Sequence, residues 1–256
     1  MRANRVDIDD RKDDLMELLE DDRALAQVFW EKLDLSWVYH EQALEGIVVT
    51  AEELALALSP NPGVQEVGRA AFLAEIRRQK EAVDLAKDEA KQPKGKLSLT
   101  LLKKLFETLT GGAEPKGRME FRRDMPLHRT YFHDIHQPVR IVPELTKLLE
   151  WGNAAEFHAL HPLQQASLFH HRFMAIFPFT ELSGKVGRLV MNILLMRAGY
   201  LPAVINAVDR QRYYESLKQQ PRVLQSLVTE AIEHATDHGF KFFTEATPRR
   251  GRVQHG

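Results

Sequence analysis

Two apolar helical stretches joined by one short polar turn constrain this chain more than any other feature. Over 154–176, Leu163, Ala166, Phe169, Phe173 and Ile176 recur at three- and four-residue intervals, the spacing that lines one face of an α-helix. Over 186–197 the apolar run from Leu189 to Met196 is broken only by Asn192. Both stretches read as buried, so the turn between them is wedged into a helical core. Its residues are not core-like. Glu181 is a carboxylate able to hold a metal, Ser183 and Gly184 make a small-residue turn, and Lys185 and Arg188 follow one helical turn apart. First-turn N–H groups of a helix are unpaired and the helix dipole favours negative charge there, so this grouping reads as a polyphosphate site. No general base accompanies it: the residue four before Glu181 is Phe177. Ser183 to Lys185 is not a P-loop, because the residues around it do not fit GxxxxGK[ST].

The rest of the chain also reads as helix. The spacing predicts helices over 13–33, 37–44 with Ser36 as its cap, and 64–91. Thr50 and Glu53 form a capping box for another that stops before the break at Ser59 to Gly63. Ser98 opens a helix ending at Gly111 and Gly112, and further helices are expected over 143–150, 154–176, 186–197, 210–218 and 221–243. Residues 113–142 lose this period, and Met119, Phe121, Tyr131, Phe132 and Ile135 suggest one small β-hairpin flap. On it sit His128, His133 and His136. Their spacing is more often incidental than metal-ligating, and their chemical use would be as a substitute general base near neutral pH. On the helix before the turn, one of His170 and His171 should face the core as a satisfied hydrogen-bonder. Asn192 reads as a buried hydrogen-bonder that shapes the turn. Tyr213 and Tyr214, in the string from Arg210, read as packing inward more readily than as stacking a base.

Composition excludes several classes. The 35 Lys+Arg against 36 Asp+Glu leave a net charge of −1, which gives no global case for nucleic acid or an anionic membrane. With no cysteine, disulfides, thiol nucleophiles and thiolate metal sites are absent. The charged N-terminus does not read as a signal peptide, and no apolar run reaches the roughly 20 residues of a membrane span. The expectation is a soluble, cytoplasmic protein with 256 residues and ample material for a core.

The passage HPLQQASLFHHRFMAIFPFTELSGKVGRLVMNILLMRAGY, His161 to Tyr200, resembles the Fic (Fido) family of nucleotide-handling proteins, whose usual pattern is HPFxxGNGRxxR. PAVINAVDRQRYYESL resembles the family's next segment, RTYFHDI falls where the family has its target-positioning flap, and ALEG at Ala43 to Gly46 resembles the (S/T)xxxE(G/N) inhibitory segment. The resemblance covers roughly 37–243. It implies an all-α, Fido-type helical bundle with the small flap. It also implies a division into a helical N-terminal extension (1–95), a Fido core (96–245) and a basic tail (246–256).

By resemblance, Glu181 would hold Mg²⁺, the Ser183–Gly184 backbone and Lys185 would contact phosphates of ATP or another nucleotide, and Arg188 would pair with a terminal phosphate. Glu45 would pair with Arg188 as the inhibitory residue, although the preceding serine or threonine of that segment is Glu41 here. The family's catalytic histidine, which takes the proton of a target hydroxyl, aligns with Phe177. Its first motif glycine is Leu182, which disfavours φ > 0, so the anion-binding turn is expected to be reshaped. Its first arginine is Lys185, which keeps the charge and loses the bidentate fork. Three readings stand. One is a pseudoenzyme or ligand-gated interaction protein that binds a nucleotide or other phosphorylated molecule without conventional AMP transfer. The second is an active, unconventional transferase that moves a nucleotidyl or phosphate-containing group onto a hydroxyl, with a flap histidine or water as base; a protein target would meet it at the flap. The third is an interaction scaffold that binds no ligand.

Overall fold

The computed structural model describes residues 2–59, 67–112, 119–126 and 133–246. Eleven α-helices lie among them: α1 (Arg2–Asp21), α2 (Arg23–Leu44), α3 (Ala51–Leu58), α4 (Val67–Ala90), α5 (Leu99–Thr110), α6 (Ile141–Gly152), α7 (Ala155–His158), α8 (Pro162–Ile176), α9 (Ser183–Arg197), α10 (Arg210–Ser216) and α11 (Pro221–Ala246). Caps explain several of the boundaries. The Thr50–Glu53 capping box forms in both directions, Ser98 accepts from Leu101 N–H, and Gly111 closes α5 at φ 85°.

Three of the departures from the expected boundaries have a clear local cause. The first break falls at Asp22, whose side chain accepts from Leu25 N–H, so α2 runs unbroken through Ser36. The stretch 154–176 is split because Pro162 takes the first position of α8, where its missing N–H costs nothing, and a His161 ring nitrogen caps it. Helix α9 starts at Ser183 rather than Val186, which puts the polar turn inside the first helical turn.

Helices α8 and α9 form the centre, with Phe169, Phe173, Val186, Leu189 and Val190 fully buried. A Cβ at Gly187 would lie 2.9 Å from the Phe173 ring, so the close approach of the pair requires glycine there. Helices α4 and α5 cover one side of α9, and α6 and α11 cover α8. Helix α2 lies across α4 and α11 with its last turn over the start of α9. A smaller apolar cluster from Leu15, Leu19, Phe29 and Phe243 ties α1 and α2 to α11.

The small β-hairpin is not found: no strand occurs among the described residues. The backbone of the segment bonds to the α8–α9 turn instead, Arg122 N–H to Pro178 O at 2.9 Å and His136 N–H to Ala175 O at 2.9 Å. Residues 113–118 and 127–132, with His128, and the tail beyond 246 lie outside the described residues. No described helix is long and apolar enough to cross a membrane.

Candidate functional site

The site is the turn between α8 and α9, and two residues bend it. Phe177 ends α8 at φ 48°, and Leu182 precedes α9 at φ 65°; they are the two non-glycine residues with positive φ among those described. The expectation that Leu182 would reshape the turn is therefore overturned, because leucine here adopts the left-handed geometry that glycine would supply. The conformation costs about 1–2 kcal/mol per residue, and three contacts hold it. Leu182 packs against the core. The Ser183 hydroxyl accepts from Phe179 N–H at 2.9 Å and donates to Phe179 O at 3.0 Å. Buried Arg122 donates from Nε to Phe177 O at 2.7 Å and from Nη2 to Ile176 O at 3.2 Å and to His136 O. A cation thus sits on the otherwise unpaired C-terminal carbonyls of α8. Nothing in the sequence around Arg122 marks it for that task.

Because the Ser183 hydroxyl turns back into the loop, it is not a phosphate contact in this arrangement. What remains is backbone. Leu182 has no side chain able to cap α9, and the first intrahelical bond is Val186 N–H to Leu182 O at 2.9 Å. The N–H groups of Ser183, Gly184 and Lys185 therefore have no acceptor within the helix. They border a cavity of about 400 Å³ whose lining includes Phe177, Glu181, Lys185, Glu45 and His133.

Both cations of the turn are engaged by helices packed on it. Lys185 Nζ is 2.8 Å from Gln42 Oε1 and 3.2 Å from Glu75 Oε1. Arg188 Nε is 3.1 and 2.9 Å from the two Glu41 oxygens, and its Nη2 is 2.9 Å from Glu41 and 2.5 Å from Glu45. Glu41 is the buried partner, at 4% side-chain exposure against 30% for Glu45. It stands where the resemblance expects serine or threonine, a departure that could have flagged it: a carboxylate one helical turn before Glu45 shares its face. A Cβ at Gly184 would lie 2.8 Å from both Glu45 Oε1 and Arg188 Nη1, so this packing also needs glycine.

Arg188 makes a third polar contact, from Nη1 to the Tyr213 oxygen at 3.2 Å. That oxygen is also 2.9 Å from His170 Nε2. Burial, reinforced by the Arg188 charge, pushes the His170 pKa down to about 3, so the ring is neutral and Tyr213 donates to it. Burial likewise pushes Tyr213 up to about 12. Burial alone would weaken the Arg188 cation, but Glu41, with Tyr213 and Glu45, outweighs it and holds its pKa well above the ordinary value.

The three candidate bases separate. His133 borders the cavity with its ring 6.0 Å from that of Phe177. Its Nε2 is 2.9 Å from Met174 O, and a carbonyl only accepts, so Nε2 carries the proton and Nδ1 is the basic nitrogen. His136 borders a different cavity, beside Trp151 and Arg172, and His128 lies outside the described residues. No group of three or more metal-ligating side chains occurs among the described residues, so Glu181, exposed on the rim, has no protein co-ligand cluster. Of the neighbouring candidates, His170 is the core-facing histidine and His171 bonds Gln219 O at 3.0 Å. Asn192 accepts from Ala203 N–H at 2.9 Å, tying the segment after α9 rather than the turn itself. Arg210 and Tyr214 both donate to Leu44 O, at 2.8 and 3.2 Å, and hold the end of α2 in place.

A protein-family model described as the Fic/DOC family matches residues 96–195. The chain carries a domain of this family. Among curated relatives, a protein adenylyltransferase Fic from Drosophila grimshawi is 29% identical over 220 residues, covering 83% of this chain and 43% of that protein. The counterpart from Nematostella vectensis is 26% identical over 222 residues, 83% of this chain and 49% of that protein. This Fic chain thus spans less than half the length of these relatives. Among solved structures, a Fic domain containing signaling protein from Bacteroides thetaiotaomicron is similar at TM-score 0.79 and 20% identity, covering 95% of this chain and 98% of that one. Fic-1 from C. elegans is similar at TM-score 0.79 and 18% identity, covering 96% of this chain and 73% of that one. These likenesses show the Fic fold.

Proposed function

We propose that this chain is a restrained Fic-fold protein that takes a nucleotide or another phosphorylated ligand at the Glu181–Arg188 turn without conventional AMP transfer. The observation that carries this reading is the last part of α2, where Glu41, Gln42 and Glu45 occupy both cations of an otherwise intact anion-binding turn. One phosphate would be taken by the N–H groups of Ser183 to Lys185, beside the Glu45 carboxylate of α2. Recruiting Lys185 requires exchange with Gln42 and Glu75, and recruiting Arg188 requires release from Glu41, the more buried of its two carboxylate partners. Glu41 is thus the dominant restraint and Glu45 the secondary one.

Glu181 as a single exposed carboxylate fits Mg²⁺ that arrives with a ligand, since that ion is commonly bound by one or two carboxylates plus substrate phosphates. Bound there, Mg²⁺ would neutralise charge on the phosphate oxygens. Phe177 has no lone pair, so a hydroxyl nucleophile finds no proton acceptor at that position, a loss typically worth about 10²–10⁴ in rate. The relatives' adenylyltransferase activity is therefore proposed not to carry over in its ordinary form.

A second reading, transfer to a hydroxyl of a protein or small molecule, is favoured by His133, which borders the cavity beside Phe177. Its Nδ1 is shielded from solvent, so that role requires the 133–137 segment to shift.

The experiment compares wild type with the Glu41→Gln/Glu45→Gln double variant, using Mg²⁺ and α-labelled nucleoside triphosphates. Equilibrium dialysis reads binding, and covalent label on lysate proteins reads transfer. Tighter binding by the double variant without label is the expected result. Label abolished by Glu181→Ala would establish the second reading, and absence of binding by either protein would leave a scaffold.

A further inference from the structure

A second cavity, of about 420 Å³, lies at the other end of α9, where the α4–α5 connection passes the C-terminus of that helix. Thirteen residues of helix separate Arg197 there from Gly184, about 20 Å at 1.5 Å per residue. The charged side chains in its lining are Lys94, Lys96 and Arg197, with His158 beside them and no carboxylate. Neither lysine forms an ion pair among the described residues. Glu89, whose backbone carbonyl lies against Arg197, has its carboxylate on Lys104 at 2.8 Å. The cations of the Gly184 turn and of the α2–α4 contact, by contrast, meet carboxylates.

The cavity wall is also pinned in place. Arg197 donates from Nη1 to Gly95 O at 2.7 Å and from Nη2 to Glu89 O at 3.4 Å. A Cβ at Gly95 would lie 2.5 Å from Nη2, so the guanidinium reaches the loop because residue 95 has no side chain. On the other flank Asn153 takes Leu97 N–H at 3.0 Å and donates to Leu97 O at 2.7 Å. The last carbonyls of α9 are engaged by Ala198, Gly199 and Tyr200 N–H groups, which blunts the negative end of the helix. Arg197 Nε is buried and has no acceptor among the described residues. That leaves one guanidinium N–H that the protein itself does not pair.

We propose that this cavity is an anion-binding site for a small phosphate ester or equivalent dianion, independent of the turn at Gly184. The fixed wall means little ordering is needed on binding. Lys94 and Lys96 supply mobile charge at the mouth, and the Arg197 guanidinium supplies fixed charge within.

The test uses the full chain and inorganic phosphate, titrated at constant ionic strength against chloride and followed by backbone amide NMR. Saturable shifts at Gly95, Lys96 and Leu97 are expected, with Kd raised about tenfold or more in the Lys94→Glu/Lys96→Glu variant, a change of about 1.4 kcal/mol. Both lysines are exposed, so that variant keeps its fold. Non-saturating shifts would overturn the proposal. So would an unchanged Kd in the variant, or saturable shifts confined to Ser183, Gly184 and Lys185.

Discussion

Arg188 is one guanidinium held by two carboxylates of unequal burial, and that inequality is measurable. Removing one partner of a buried pair leaves an uncompensated charge and typically costs about 3–5 kcal/mol, whereas partly exposed pairs are worth about 0–1 kcal/mol. Glu41→Gln should therefore lower stability by roughly 3 kcal/mol and Glu45→Gln by about 1 kcal/mol or less, read from urea midpoints at unchanged slope. The reverse order would show that Glu45 is the main partner. His170 sets a pH dependence. Its folded pKa of about 3 lies below the ordinary 6.5 because the ring is buried beside Arg188. As pH falls the unfolded chain takes up the proton first. The contribution is complete above about pH 6.5 and is lost at up to about 1.4 kcal/mol per unit on the way down to pH 3. Between pH 7 and pH 5 the wild type should lose about 2 kcal/mol, and His170→Asn should show less than half that slope in the same titration.

The turn between α8 and α9 depends on a residue from outside both helices. Arg122 serves the carbonyls of Ile176, Phe177 and His136, so Arg122→Ala strands several buried acceptors at once. A loss of about 3 kcal/mol is expected, with faster amide exchange across 177–182. Unchanged exchange there would mean that the Ser183–Phe179 bonds suffice. This element also shows what was legible in the sequence. The helices on either side, the capping box at Thr50 and the closure at Gly111 were readable because period and cap chemistry are local. The hairpin was misread because Met119 and Phe121 alternate as strand residues do, while their backbone neighbours find partners in the α8–α9 turn, a long-range fact. Leu182 was misread for a related reason: the intrinsic preference against φ > 0 is worth only about 1–2 kcal/mol, and packing overrides it. The Glu41–Arg188 contact links residues 147 apart in the chain, which no local pattern reports.

At the scale of the whole molecule, α4 presents Leu73, Ile76, Ala82, Val83 and Ala86 to the same apolar core as α5, α8 and α9. A fragment beginning at residue 96 would expose that face of α9. Fragment 96–245 is expected to lack a cooperative unfolding transition, while the full chain shows one. A sigmoidal urea curve for the fragment, with a native-like slope, would mark an independent core instead.

Gly184 lies where the α8–α9 turn meets the end of α2, and a Cβ there would lie 2.8 Å from both Glu45 Oε1 and Arg188 Nη1. Chance mutation at this codon can only add atoms. An added methyl would wedge Glu45 off Arg188, yet fill the place where the proposed ligand's oxygens would come nearest the backbone. Under the proposed restraint, escape by this route would be self-defeating, since the same change would loosen the guard and blunt the grip.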